Sequence, residues 1–370
     1  MTRGPEVPDY IRNLAVYVPG KPVEEVRREL GITDDIVKLA SNENPLGPSP
    51  KAVDAVRRAL AEANRYPDGG GFYLRQAIAN RRDVPEHQVI LGGGSTEIIE
   101  MLARAFLADG DEAVFSQQSF VMYPIAVAAV NAKGIAVPAT AERRHDVDAM
   151  ARAITPRTKL VYIANPSNPT GTYVTRAELT RFLAALPEGV LVVMDQAYHE
   201  YVGRDDYPDA LDDLKAGRNV IVLRTFSKIY GLAGIRIGYG LGTAEVIDLL
   251  NRVRSPFNTS HLAQAAGLGA LEDREYAERC RKENATERAF LETELGRRGV
   301  RYTPSVTNFV LVEFGRDVQK LFLEFQKRGV IMRPVGGPGL AGCARVSVGT
   351  RRENEKFLMV LDALLETIRS

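Results

Sequence analysis

Two stretches, Val190-Leu191-Val192-Val193-Met194 and Val220-Ile221-Val222-Leu223, are apolar without a break. A strand with one wet face alternates apolar and polar residues, so an unbroken run marks a strand covered on both faces. Val89-Ile90-Leu91, Ala113-Val114-Phe115 and Leu160-Val161-Tyr162-Ile163 repeat the pattern. Helical stripes separate these runs. Ile98, Ile99, Leu102 and Phe106 form one, and Leu179, Phe182, Leu183 and Leu186 form another behind a capping box of Thr175 and Glu178. Strands alternating with amphipathic helices predict an α/β fold, a mostly parallel central sheet covered by helices. Ser49-Pro50 reads as the cap and first position of a helix carrying Val53, Val56 and Leu60.

Beyond Asn251 the texture changes to long charged helical stretches with two strand candidates, Asn308–Val312 and Ala344–Val348. That predicts a smaller C-terminal α+β domain. The expected organisation is an N-terminal arm over 1–47, a large domain over 48–255 and a small domain over 256–370. The length, 370 residues, accommodates two such domains. A net charge of +1 gives no drive toward nucleic acid or an anionic membrane surface. No apolar run approaches the roughly 20 residues of a membrane helix. Met1 to Glu6 starts no secretory signal. Two cysteines, Cys280 and Cys343, form neither a disulfide framework nor a four-ligand zinc site, and His87, His145, His199 and His261 lack ligand spacing. The expectation is a cytoplasmic enzyme without a metal.

Ligands of open α/β sheets bind beyond the carboxyl ends of the strands. The residues after each buried run are therefore the candidates. Leu91 leads into Gly92-Gly93-Gly94-Ser95-Thr96, which opens a helix whose N-terminal amides suit a phosphate. Glu97 stands where a dinucleotide fingerprint would place its last glycine, and the formal G-x-G-x-x-G at Gly337 to Gly342 reads as a surface loop. This argues against a nicotinamide dehydrogenase. Ala164 leads into Asn165-Pro166-Ser167-Asn168, Met194 into Asp195 with Tyr198 three residues on, and Leu223 into Arg224-Thr225-Phe226-Ser227-Lys228. Arg236 follows among glycines. A phosphate cradle, a carboxylate for a pyridinium nitrogen and a lysine whose amine is freed by burial suggest pyridoxal phosphate.

Asn165 to Gly171, Asp195 with Tyr198, Ser227-Lys228 and Arg236 together resemble the fold-type I pyridoxal-phosphate transferases of aminotransferase class I/II. Tyr17 to Pro22, Ala40 to Pro50 and Arg65 to Gly69 are similar to the histidinol-phosphate branch of that family. The resemblance implies that Lys228 carries the cofactor as an internal aldimine and moves the proton, that Asp195 pairs with the ring nitrogen, and that Tyr198 and Asn168 bond the ring's 3′-oxygen. It assigns the phosphate to Gly94, Ser95, Thr96, Ser227 and Arg236, the ring face to Phe120, and a contact across a homodimer to Tyr66. For the substrate it implies Arg345 and Arg333, with Tyr17 and Asn44 completing the pocket. The implied reaction is ping-pong transfer from histidinol phosphate to 2-oxoglutarate in histidine biosynthesis. An aromatic amino acid aminotransferase, a threonine-phosphate decarboxylase-like enzyme and a non-catalytic pyridoxal-phosphate-binding sensor are the alternatives.

Overall fold

A computed structural model describes residues 6–33, 35–315 and 318–369, the side chains of 366–369 apart. The first five residues of the arm lie outside it. The large body is built on seven strands: β1 (Val89–Gly92), β2 (Glu112–Ser116), β3 (Lys133–Val137), β4 (Thr158–Ala164), β5 (Leu191–Asp195), β6 (Val220–Thr225) and β7 (Gly238–Leu241). Their order across the sheet is β1-β7-β6-β5-β4-β2-β3, and β7 alone runs antiparallel to its neighbours.

The unbroken apolar runs are the central strands, as the sequence predicts, and their residues sort by parity. Val192, Met194, Val220 and Val222 enter one core layer, beneath the helices Phe72–Arg82 and His261–Glu272. Leu191, Val193, Ile221 and Leu223 enter the other, against the helices Ser95–Phe106 and Ala244–Val253. Every one of these eight side chains is at most 2% exposed. Burying one such side chain contributes roughly 1.5–3 kcal/mol, so the sheet and its two helical layers stand or fall together. Two strands escape the sequence reading. Lys133–Val137 is an edge strand, largely exposed and cut by Gly134. Gly238–Leu241 has two glycines in four residues, which erases the apolar signature although all four positions are buried.

The capping devices are present. Ser49 accepts from the Ala52 N–H, and the Thr175–Glu178 box is closed in both directions. Ser49 Oγ also donates to Asp273 Oδ2 at 2.7 Å, tying the start of its helix to the far end of His261–Glu272. These two helices pack closely, so residues 261–272 belong to the large body. The helix Arg274–Arg297 then carries the chain across, with Tyr276 and Cys280 in the large core and Leu291 and Leu295 in the small one.

The small body has a four-stranded antiparallel sheet built from Arg301–Thr303, Phe309–Glu313, Arg333–Pro334 and Cys343–Ser347. Phe325 and Phe357 stack over it with ring centroids 5.5 Å apart. The second half of the N-terminal arm joins this body. Val37–Lys38 pairs in parallel with Val330–Ile331, and Val37 and Leu39 enter its core. A strand of two residues has too little pattern to be read from sequence.

Gly269 shows how tight the seam between Pro50–Ala59 and His261–Glu272 is. A Cβ there would lie 2.5 Å from the Lys51 carbonyl oxygen and 2.8 Å from Ala52 Cα. Backbone atoms cannot swing aside. Gly→Ala in a helix gains about 1 kcal/mol in propensity, whereas overpacking costs typically 1–3 kcal/mol. Gly269→Ala is therefore expected to be destabilising, read as a lower urea midpoint with an unchanged slope.

Candidate functional site

Strand ends β4, β5 and β6 converge with the glycine turn after β1 on one cleft of about 1060 Å³, open to solvent. The small body closes its far side. Of the residues singled out from sequence, Tyr17, Gly94, Ser95, Thr96, Phe120, Asn168, Asp195, Tyr198, Ser227, Lys228, Arg236, Arg333 and Arg345 all line this cleft. Two do not, as shown below.

Asp195 ends β5 at the cleft floor, 5% exposed. Its Oδ1 accepts from the Ala197 N–H at 3.2 Å and its Oδ2 from the Tyr123 hydroxyl at 2.9 Å. Burial raises its pKa, and the two hydrogen bonds and the nearby Lys228 cation oppose that. No cation bonds it directly among the described residues, so the carboxylate is suited to a protonated ring nitrogen. Sequence reasoning missed Tyr123. A tyrosine inside a short apolar helix looks like core, and this one is core: it is fully buried and stacks on Tyr162 at 4.8 Å. Only its hydroxyl reaches the site.

Lys228 projects from the turn after β6. Its Nζ donates to the Ser41 carbonyl at 3.3 Å and lies 5.6 Å from the centroid of the Tyr198 ring. Burial first, and then the Arg345 cation, lower its pKa to about 8. A lysine so placed has an accessible neutral amine near neutral pH.

The glycine turn explains where a phosphate would sit. Gly94 has φ +97°, in the left-handed region, and a Cβ there would come within 2.6 Å of an Arg236 guanidinium nitrogen. The helix Ser95–Phe106 has no side chain capping its N-terminus, so its first amides face the cleft unpaired by a cap. Below the turn, Glu97 Oε2 accepts from the Gly93 N–H at 2.5 Å and from Asn258 at 2.9 Å, which fixes the loop. Arg236 holds a left-handed backbone at φ +62° and donates to the Ala233 and Gly93 carbonyls at 2.9 and 3.1 Å. Backbone strain in a non-glycine residue persists where surrounding structure imposes it, typically at functional sites. The residues fit pyridoxal phosphate on their own chemistry: free helix amides and a guanidinium for the phosphate, a buried carboxylate for the ring nitrogen, and a lysine whose amine is readily neutralised.

Opposite this end, Arg345 is held by Asn168 Oδ1 at 2.6 Å and the Ala40 carbonyl at 2.8 Å, and its guanidinium lies 5.4 Å from the Phe309 ring centroid. Its Nε is buried without a partner, and burial lowers its pKa. A half-buried cation with an unused donor suits an incoming anion. Arg333 donates to the Val18 carbonyl at 2.7 Å, so it draws the N-terminal arm, with Tyr17, to the cleft mouth.

Asn44 is a correction. Its amide donates to the Ile229 carbonyl at 2.7 Å and to Cys280 Sγ at 3.2 Å, and it lines a separate cavity with Tyr201 and Cys280. Asn42 faces the cleft instead, donating to the Tyr198 hydroxyl at 2.9 Å. Sequence could not choose between two asparagines separated by one residue; the backbone turn at Asn42, φ 54°, decides it. Tyr66 is also outside the cleft. It is 83% exposed and stacks on Phe257 at 4.7 Å.

Three comparisons bear on this geometry. Residues 34–361 match the family described as aminotransferase class I and II. The histidinol-phosphate aminotransferase 2 of Pseudomonas aeruginosa is 50% identical over 96% of both chains, and histidinol-phosphate aminotransferase 1 of Nitrosococcus oceani is 47% identical over 97% of this chain and 96% of that one. The crystal structure of histidinol-phosphate aminotransferase from Sinorhizobium meliloti in complex with pyridoxal-5′-phosphate superposes with a TM-score of 0.90 at 29% identity, covering 100% of this chain and 99% of that one.

The lowered Lys228 pKa makes a testable statement. Below pH about 8 the folded protein must hold a buried ammonium that the unfolded chain, near 10.5, solvates freely. That penalty is full below pH 8 and fades as pH rises to 10.5, so the group's contribution to stability improves with pH across that window. The same amine controls reaction with an aldehyde. The rate of reconstitution of cofactor-free protein by pyridoxal phosphate should rise with pH to a midpoint near 8, and Lys228→Ala should show no visible cofactor band at any pH. A midpoint near 10.5 would mean the amine is solvated like any other.

Proposed function

The chain belongs to the class I and II aminotransferases, and we propose from that premise that it transfers the amino group of histidinol phosphate to 2-oxoglutarate, giving imidazole-acetol phosphate and glutamate, in histidine biosynthesis. The observation that carries the reading is the placement of Lys228 in one cleft with Asp195 and with arginines at two separate stations, Arg236 at one and Arg333 with Arg345 at the other. The near-full-length identity to histidinol-phosphate aminotransferases supports the same substrate.

Pyridoxal phosphate, when bound, supplies an aldehyde that exchanges amines and a ring that draws electrons from the substrate's Cα bond. Gly94, Ser95, Thr96, Ser227 and Arg236 would hold its phosphate, and Phe120 would cover the ring. Asp195, its carboxylate oriented by Tyr123 and Ala197, would pair with the ring nitrogen and favour its protonated form. Tyr198 and Asn168 orient the 3′-oxygen edge, and Asn42 in turn holds the Tyr198 hydroxyl. Lys228 Nζ would take the proton from substrate Cα and deliver it to the former aldehyde carbon of the cofactor, so that the amino group stays behind when the keto product leaves. Arg345 and Arg333 read the anionic end of the substrate. Histidinol phosphate presents a phosphate and glutamate a carboxylate, and a guanidinium fork accepts either oxyanion. Tyr17 adds a hydroxyl at the cleft mouth.

We assign a homodimer with shared sites as the working form. Tyr66, 83% exposed, stacks on Phe257, which is 46% exposed, and Phe72 and Tyr73, 49% and 71% exposed, form a second aromatic pair. Exposed aromatic pairs of this kind suit an interface. The cytoplasm is the compartment we assign, since Cys280 and Cys343 are free thiols. Among the described residues no helix is long and apolar enough to cross a membrane.

Single-turnover amino transfer from histidinol phosphate and from phenylalanine tests the substrate. Wild type is expected to favour histidinol phosphate; a preference for phenylalanine would make the protein an aromatic amino acid aminotransferase. Lys228→Ala should abolish transfer with both. Arg333→Ala should weaken histidinol phosphate by roughly ten- to a hundredfold, the loss of one charged hydrogen bond, and phenylalanine much less.

A further inference from the structure

The cleft is strongly cationic. Lys228, Arg236, Arg333 and Arg345 line it, and among the described residues Asp195 and Glu43 are the acids that do. Asp195 is committed at the floor to Tyr123 and Ala197. Glu43 is not. It sits at the mouth on the segment Ser41–Glu43, where Ser41 contributes the carbonyl that Lys228 Nζ meets at 3.3 Å. Its side chain is 45% exposed, and Lys38 reaches only one carboxylate oxygen, Oε1, at 3.0 Å. A substrate whose Cα lies within reach of Lys228 therefore has this segment as one wall of its site.

The two ends of the proposed substrate have opposite needs. A phosphate goes to the guanidinium groups of Arg333 and Arg345. An imidazole ring has an N–H donor, and near its pKa of about 6.5 it carries a second one with positive charge. None of the four cations can accept a hydrogen bond from that N–H. We propose that Glu43 is the specificity-determining residue for the imidazole arm, accepting its ring N–H, and so separates an imidazole-bearing donor from a phenyl-bearing one. The inference rests on histidinol phosphate being a substrate. It also carries a sign for the second half-reaction. Glutamate places a carboxylate on that arm, and Glu43 repels it, with Lys38 alongside to offset the charge.

The test compares wild type with Glu43→Ala and Glu43→Gln, using histidinol phosphate, phenylalaninol phosphate and glutamate as amino donors. Phenylalaninol phosphate keeps the amine and phosphate and lacks the ring N–H. Glu43→Ala is expected to lower kcat/KM for histidinol phosphate by roughly ten- to a hundredfold, as for a charged hydrogen bond, with no loss for phenylalaninol phosphate or glutamate. Glu43→Gln, whose amide oxygen still accepts, should recover part of the loss. Calorimetry with 3-(imidazol-4-yl)propyl phosphate, which lacks the amine and cannot react, should show the same weakening of binding to the holoenzyme, and 3-phenylpropyl phosphate should not. Equal losses across all donors, or none, would overturn the role of Glu43. Failure of wild type to use histidinol phosphate at all would instead overturn the substrate reading on which it rests.

Discussion

A strand covered by helices on both faces has nowhere along its length to keep a polar side chain. Burying an unpaired polar group costs several kcal/mol, so Val192 to Met194 and Val220 to Leu223 must be apolar, and the chemistry is displaced to the strand ends. Asp195, the Asn165–Asn168 loop and Ser227-Lys228 all reach the cleft for that reason. The sheet is thus both the main source of cohesion and the device that delivers separate pieces of sequence to one place.

Charge beneath the cleft has to be balanced at the same time. Arg224 precedes the Lys228 turn and is 1% exposed, yet it carries a full charge. Asp209 Oδ1 lies 2.7 Å from it, Gln196 Oε1 3.0 Å and Glu200 Oε1 3.5 Å. Gln196 in turn donates to the Tyr207 hydroxyl, which bonds the Asn165 carbonyl at 2.6 Å. One network therefore joins the ends of β4, β5 and β6 just behind Asp195 and Lys228. Removing one partner of such a group would leave an uncompensated charge in the interior, which is far costlier than losing a surface pair. Positional precision at Lys228 and structural integrity are in this respect the same property.

Burial also sets opposite biases on the two central titrating groups. It pushes Asp195 up and Lys228 down, each toward its neutral form. Tyr123 and Ala197 counteract the shift at Asp195 by donating to the carboxylate, while the Lys228 amine has one hydrogen-bond partner among the described residues, the Ser41 carbonyl. A carboxylate retained as an anion beside a readily neutralised amine is what exchange of an amine on a protonated ring requires.

Much of this was legible in the sequence. Unbroken apolar runs located the central strands because double burial leaves a one-dimensional trace, and the capping residues Ser49 and Thr175 act locally, within three residues. Residues placed directly after those runs were found for the same reason. The edge strand Lys133–Val137 and the glycine-rich Gly238–Leu241 left no trace, since one is wet and the other has few side chains to pattern. Tyr123 and Asn42 reach the site only through contacts 72 and 156 residues away along the chain, with Asp195 and Tyr198. The choice of Asn42 over Asn44, the docking of Val37–Lys38 on the small body and the placement of Glu43 in the cleft are set by backbone turns and long-range packing. Local sequence determined which segments could form the sheet and carry the chemistry; only the tertiary structure decided which side chains face one another across the cleft, because distances between remote segments have no local cause.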